Sequence, residues 1–366
     1  NLTSTAEVIK DMGFQFDFIS SEQLATGPPD GYTILILPDA LAMSDAEIAA
    51  ADAFAGGGGF VVNFGASAAF TEHGKPREGT DVEALRWQDR AEPLDPSTLE
   101  SAVTRTEVGE GMRIDCDFLL DEYRQFQPSG VAGETVERFS ANEETAEAWR
   151  RMLPGVGIVS IPPALVETAE GELMDYVEVV GFRRKAITYI GVLPRYFGGR
   201  YSRGGDVMTV DDEDFVPAVI TLTDPRSFVN QWPVYDVRAQ KYLGRVRQFE
   251  TTLAPGIARL YALVPYRVTG ITIDCPERAE AGGMLTARCD LTVSDGTPAD
   301  HVVRWTLTQD GEVLPPYARN ALAEAGSGEA SFRLPLDMSG EWTLTATDVI
   351  SGEATTRAVT IEAPER

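Results

Sequence analysis

The sequence predicts a multidomain protein, a parallel α/β domain followed by two antiparallel β-sandwich domains, and three observations lead there. Helix and strand signals alternate as far as Pro162. From Leu173 onward the helical period disappears, and alternating strands separated by turn residues take its place. A further set of strands with its own turns begins after Pro265-Tyr266-Arg267. The expected domains are therefore residues 1–162, 163–267 and 268–366. A chain of 366 residues is also too long for one ordinary core, since domains run to roughly 100–200 residues.

In the first domain, Thr5 to Met12 reads as a short helix stopped by Gly13, followed by an extended run Phe14 to Ile19 and a buried strand Tyr32 to Leu37. Ser44-Asp45-Ala46-Glu47 has the form of a capping box, ahead of Ile48, Ala51, Phe54 and Ala55 on one helical face. Gly56 to Gly59 end that helix, and the strand Phe60 to Phe64 follows at once. Gly111 to Leu119 predicts another strand and Glu134 to Met152 another helix. A parallel sheet that opens on a helix lacks its preceding strand, and the first residue is Asn1, so a longer parent polypeptide is expected.

In the middle domain, Tyr176 to Phe182 and Ala186 to Leu193 form a hairpin across an Arg-Arg-Lys turn. Strands are expected at Val216 to Thr223, Val234 to Val237 and Ala258 to Val264, and the acidic stretch Gly204 to Asp214 as an exposed loop. The last domain has strand signals at Ile271 to Cys275, Leu285 to Val293, Val302 to Thr308, Ala330 to Leu334, Trp342 to Thr347 and Thr356 to Ile361. With turns at Asp295-Gly296, Asp310-Gly311 and Ser351-Gly352, that spacing fits an immunoglobulin-like sandwich with Trp305 in its core. Cys275 and Cys289 both point inward, where free thiols or a disulfide would fit.

The 57 acidic residues outnumber the 31 basic ones, for a formal charge of −26, so the average surface repels phosphate backbones and anionic lipid. Nucleic acid is excluded as a partner on that ground, and no apolar run approaches the roughly 20 residues of a membrane span. Localisation stays open. Arg-over-Lys, Ala-rich and Gly-rich usage points to a GC-rich, bacterial genome.

The stretch Ile34-Leu35-Ile36-Leu37-Pro38-Asp39-Ala40-Leu41-Ala42-Met43-Ser44-Asp45, its helix and glycine run, and Phe60-Val61-Val62-Asn63-Phe64-Gly65 resemble the trimerisation domain of family 42 β-galactosidases and related multidomain glycosidases. The likeness extends through Ile114-Asp115-Cys116-Asp117-Phe118-Leu119-Leu120 and Tyr123, and into Val234-Tyr235-Asp236-Val237-Arg238-Ala239-Gln240-Lys241-Tyr242-Leu243-Gly244. What the resemblance implies is a flavodoxin-like, class I glutamine-amidotransferase-like fold without amidotransferase chemistry. It also implies an upstream catalytic barrel carrying two carboxylates on the same polypeptide, and a homo-oligomer held through the α/β domain. The barrel itself would need about 250 residues and does not fit here.

Tested for chemistry of its own, the chain offers little. Ser67, in Phe64-Gly65-Ala66-Ser67-Ala68-Ala69, stands where such a fold places a nucleophile, but a nucleophilic serine needs a base within hydrogen-bond reach. The only histidines are His73, in the loop just after, and His301, in the last domain. Ser67→Ala is accordingly expected to leave stability nearly unchanged. Two isolated histidines and three scattered cysteines give no zinc spacing. Asp206 and Asp211-Asp212-Glu213-Asp214 could hold Ca²⁺ but read better as a solvated loop. Gly56 to Gly59 precede a strand and so cannot cradle a phosphate. Tyr196, Phe197, Tyr201 and Trp232 could stack on saccharides or pack at domain edges. No catalytic, cofactor-binding or metal residue is assigned and no cofactor is expected. The leading reading is a non-catalytic assembly segment of a bacterial glycoside hydrolase, with a carbohydrate-binding or cell-surface module second and a self-contained hydrolase third.

Overall fold

The structure, a computed structural model, describes residues 2–11, 14–83, 85, 102–119, 162–174, 177–194, 215–254 and 256–363. It is mostly β, with several sheets. The described residues fall into two compact units, one up to Pro162 and the other from Pro163 onward.

The first unit contains α1 (Leu2–Asp11), α2 (Ser21–Thr26), β1 (Ile34–Pro38), α3 (Asp45–Gly56), β2 (Phe60–Phe64), β3 (Val103–Val108) and β4 (Gly111–Cys116). Its sheet has the order β1-β2-β4-β3, with β1, β2 and β4 parallel and β3 antiparallel to β4. Successive side chains of a strand point to opposite faces, so β1 feeds two cores. Ile34 and Ile36 join Val8 of α1, Val62, Phe64 and Ile114 on one side. Leu35 and Leu37 join Leu24, Ala51, Ala55 and Val61 on the other. A strand covered on both faces reads as an unbroken apolar run, which is why Ile34 to Leu37 contains no polar residue.

Helix α3 starts at the expected capping box. Ser44 N–H and Oγ donate to Glu47 Oε2 (2.7 and 2.8 Å), and Glu47 N–H donates to Ser44 Oγ (3.2 Å). Burial works to raise the Glu47 pKa, but these hydrogen bonds outweigh it and hold the carboxyl below its ordinary range. Arg77 fastens the same helix start through Asp45 Oδ1 (2.7 Å) and the Met43 carbonyl (2.8 Å).

Three details differ from expectation. Between the extended run Phe14 to Ile19 and β1, Ser20, with Gln23, opens a helix, α2, through a second reciprocal capping box. The strand expected to reach Leu119 ends at Cys116. Strand β3 was not anticipated, because Thr104 to Glu107 are all exposed and carry no buried face to read. The expected helix Glu134 to Met152 lies outside the described residues.

The second unit opens with β5 (Ala164–Thr168), β6 (Val177–Arg184), β7 (Ile187–Pro194), β8 (Val216–Leu222), a helical turn Pro225–Phe228, β9 (Val234–Asp236), β10 (Lys241–Gly244), β11 (Gln248–Leu253) and β12 (Arg259–Leu263). These strands make a five-stranded sheet, β10-β9-β12-β7-β6, and a three-stranded one, β11-β8-β5. The hairpin β6–β7 turns at Lys185, whose φ of 49° is the left-handed conformation a two-residue turn demands.

There follow β13 (Val268–Asp274), β14 (Arg278–Glu280), β15 (Met284–Val293), β16 (His301–Gln309), β17 (Glu312–Glu324), β18 (Ser327–Arg333), β19 (Gly340–Asp348) and β20 (Ala354–Glu362), in the order β13-β15-β18-β17-β16-β19-β20-β14. Strand β17 pairs with β16 along most of its length and with β18 only at Ala323 and Glu324. Trp305, fully buried with Val303 and Leu307, lies in a core that runs without interruption from Ile187 and Tyr235 through Tyr266 to Ile361.

The register of β13 and β15 separates the two cysteines. Cys289 faces Ile273, and Cys275 lies beyond Asp274, which already faces Arg288. The two thiols are therefore offset along the strands and are free, as is that of Cys116. Burial pushes Cys116 up to about 12 and Cys289 up to about 11, which keeps both protonated and unreactive at neutral pH.

Candidate functional site

In an open sheet of parallel strands, ligands and reacting groups gather at the carboxyl ends, where chain after one strand meets chain after the next. Here those ends carry Asp39, after β1, and Gly65 to Ala69, after β2. Asp39 and Ala68 both take φ of 60° and Gly65 takes 74°, so the chain turns sharply at both places.

The two turns are bound to one another. Ala66 N–H donates to Asp39 Oδ1 (3.1 Å), and Ala68 and Phe70 N–H donate to the carbonyls of Ala40 and Leu41 (both 2.9 Å). Ser67 completes the clasp: its Oγ accepts from Ala40 N–H (2.9 Å) and lies 3.4 Å from the Leu37 carbonyl, to which it donates. The Ser67 hydroxyl is thus bonded to backbone on both its donor and acceptor sides.

Neither histidine serves it. The His73 side chain is 78% exposed, beside Glu72 at 3.7 Å, and no hydrogen bond joins it to Ser67 among the described residues. His301 is buried in the second unit, its Nδ1 2.7 Å from Asp348 Oδ1 and its Nε2 3.0 Å from Tyr266 Oη. Tyr266 Oη also accepts from Ala299 N–H, and Asp348 Oδ2 accepts from Ser351 N–H and Oγ. With a carboxylate at Asp348 as the acceptor, Nδ1 is the donor to it, and in that tautomer Nε2 accepts from the Tyr266 phenol. A tyrosine–histidine–aspartate chain of this kind resembles a relay, but all three members lie against core and none reaches solvent.

One consequence corrects the sequence-based expectation for Ser67. With two backbone groups bonded to its hydroxyl, Ser67→Ala leaves the Ala40 N–H without its partner and is expected to cost about 1–2 kcal/mol. Urea denaturation of the variant checks this; an unchanged midpoint would show that water replaces the hydroxyl at no cost.

A polar cluster that the sequence reading passed over lies beneath α3. Asn63 Nδ2 donates to Asp115 Oδ1 (3.1 Å), Arg113 Nε reaches the same oxygen (3.2 Å), and Asp52 lies 3.5 Å from Arg113. Asn63 and Asp115 are directly paired in the β2–β4 register, a relation no local pattern announces.

Among the described residues no group of three His, Cys, Asp or Glu side chains is gathered as metal ligands. The acidic run Asp206 and Asp211 to Asp214 lies outside the described residues, as do Tyr196, Phe197 and Tyr201. Trp232 is half-buried with the Arg226 guanidinium 5.5 Å from its ring centre, so this face is already covered by a cation. Among the described residues no helix is long and apolar enough to cross a membrane.

No protein-family model matches the chain, and no curated protein does. Among solved structures it is similar to Gan42B, a GH42 β-galactosidase from G. stearothermophilus, at 14% identity and a TM-score of 0.41 over 71% of this chain and 35% of that one. It is similar to a β-galactosidase from Bacillus circulans sp. alkalophilus at 12% identity and a TM-score of 0.43, over 71% of this chain and 37% of that one. A third, the β-galactosidase of Rahnella sp. R3, gives 12% identity and a TM-score of 0.39 over 71% and 36%. The chain therefore spans little more than a third of the length of these enzymes.

Proposed function

We propose that this chain is a non-catalytic assembly segment of a larger glycoside hydrolase of the β-galactosidase kind, whose catalytic barrel lies elsewhere in the same polypeptide. The observation that carries the non-catalytic part is the clasp at Ser67: the hydroxyl expected at a nucleophile's position is bonded to backbone on both sides, and among the described residues no hydrogen bond joins it to His73, while the His301 imidazole is engaged by Tyr266 and Asp348. The glycosidase part rests on the sequence motifs around Ile34 to Asp45, Phe60 to Gly65 and Val234 to Gly244.

In this reading residues 1–162 are an amidotransferase-like domain that joins subunits, residues 163–267 a small β-sandwich, and residues 268–366 an immunoglobulin-like sandwich. The small residues Ala46, Ala49, Ala50 and Ala53 of α3 would let a second subunit approach closely.

The test has two arms. The chain alone should release nothing from a chromogenic β-galactoside, an ester or glutamine, and hydrolysis abolished by Ser67→Ala would overturn the reading. The barrel-containing polypeptide should scatter light as an oligomer that dissociates when residues 1–162 are deleted and persists when residues 268–366 are deleted. A monomer at micromolar concentration would remove the assembly role.

A further inference from the structure

The three-stranded sheet β11-β8-β5 carries opposite charge at its two ends. Its neighbouring strands are antiparallel, so the chain after Leu222 and the chain before Gln248 lie together at one end. The hairpin after Thr168 lies at the other, where β8 begins at Val216.

At the first end stand the helical turn Pro225–Phe228 and the residues up to Trp232. The polar groups here are spent inward. Asp224 Oδ1 accepts from Arg226 N–H (2.9 Å) and Oδ2 pairs with the Arg226 guanidinium (2.7 Å), while Ser227 is 2% exposed and its Oγ donates to the Asp224 carbonyl (2.8 Å). The apolar side chains go outward, with Phe228 42% and Val229 69% exposed. A loop that buries its serine and shows its phenylalanine and valine reverses the usual assignment, which marks a contact surface. Arg245 and Arg247 frame it. Arg247 lies over the Phe228 ring, 4.8 Å from its centre, with Nε donating to the Leu222 carbonyl (3.4 Å), and Arg245 Nη1 donates to the Gln231 carbonyl (2.8 Å). Among the described residues neither guanidinium is in an ion pair with a carboxylate.

At the other end the hairpin exposes Glu170, Glu172 and Leu173, the last by 63%. It is closed by its own backbone, with Thr168 N–H donating to the Glu172 carbonyl (2.7 Å) and Met174 N–H to that of Val166 (2.9 Å). Among the described residues neither glutamate is paired with a cation, and Arg259, which reaches this end, is turned onto the Thr252 carbonyl (2.9 Å). Strand β8 has seven residues and so spans roughly 23 Å, which keeps the two ends of one sheet from meeting in one molecule.

We propose that these ends are the two halves of one contact between copies of this chain, joined head to tail. Phe228, Val229, Arg245 and Arg247 of one copy receive Leu173, Glu170 and Glu172 of the next. Apolar side chains close the centre and guanidinium–carboxylate pairs the margin, which is the make-up of a protein interface. It is not that of a sugar site, since the Phe228 and Trp232 rings are already faced by Arg247 and Arg226. A contact between two different patches repeats along a row of copies or closes into a ring. The formal charge of −26 does not prevent it, because screening beyond about 8 Å at physiological salt leaves the local charges to decide. The contact lies in the second unit and does not depend on the assembly role proposed for residues 1–162.

Sedimentation of the whole chain from about 1 to about 100 μM tests it. The weight-average mass should rise with concentration. Reversing either end, by Arg245→Glu with Arg247→Glu or by Glu170→Arg with Glu172→Arg, should weaken association at least about tenfold. Arg245→Glu alone, which leaves Arg247 on Phe228, should weaken it as well. All four substitutions in one chain should restore it to within about threefold, because complementarity returns with its sign exchanged. A chain that stays monomeric throughout would overturn the proposal. So would association indifferent to the reversals, which is what a contact made by residues 1–162 alone would give, or a quadruple variant as weak as those reversed at one end.

Discussion

Asp348→Ala should cost the second unit about 3–5 kcal/mol, because it strips the partners from a buried polar chain and leaves them facing core. Asp348 is fully buried and bonds His301 Nδ1 at 2.7 Å, Ser351 N–H at 2.9 Å and Ser351 Oγ at 2.6 Å. An alanine there leaves an imidazole nitrogen and a backbone N–H without acceptors in a site that excludes water. His301 cannot turn elsewhere, because its Nε2 is held by Tyr266. Burial pushes the Tyr266 phenol up to about 12, so it remains a neutral hydrogen-bond donor across the ordinary pH range. Asp348→Asn keeps the volume and one acceptor but turns an N–H₂ toward Ser351, so a smaller loss, about 1–3 kcal/mol, is expected. Urea denaturation followed by tryptophan fluorescence measures both. An alanine variant within about 1 kcal/mol of the parent protein would mean that the chain of hydrogen bonds does not form.

Ser44 and Glu47 were legible because a capping box is written within four residues and needs no distant partner. Ser20 and Gln23 obey the same rule at the same spacing, ahead of a helix of only six residues, too short for an apolar period to announce it. Pairing is where local pattern fails. Strand β17 contains Pro315 and Pro316, which argue against a strand; the structure admits them because the β16–β17 register breaks between Thr306 and Thr308, so that pairing jumps from Ala318 to Val313 and the prolines fall in the gap. At the candidate site, the position of Ser67 after β2 was readable, whereas its bonds to Leu37 and Ala40 depend on the parallel pairing of β1 with β2. His301 stood out as one of two histidines, but Tyr266 and Asp348 are 35 and 47 residues away and nothing local connects them.

The glycines show the same division, and they carry the second large effect. Gly56 to Gly59 read as a helix stop, which they are: Gly57 N–H caps the Ala53 carbonyl and Gly58 takes φ of 99°. The structure adds a second use, since the β3–β4 turn presses its backbone onto theirs. Glu110 N–H donates to the Gly56 carbonyl and Met112 N–H to the Gly59 carbonyl, both at 3.1 Å. A Cβ at Gly111 would sit 2.2 Å from the Gly59 oxygen and 2.3 Å from the Ala55 oxygen. Both are backbone atoms at the end of α3 and the start of β2, so neither can rotate aside as a side chain could. Gly111→Ala must therefore push β4 away from β2 or unwind the last turn of α3, and about 3 kcal/mol of destabilisation is expected. Gly57→Ala is the control: its Cβ would meet nothing closer than 3.5 Å and its φ of −87° suits any residue, so it should be neutral or stabilise by a few tenths of a kcal/mol. Hydrogen exchange at Val62 and Ile114, in the centres of β2 and β4, reads both variants. Protection should fall roughly a hundredfold in the first and hold in the second. Equal protection in the two would mean that the turn and the glycine run are not in backbone contact, and that the run serves only to end the helix.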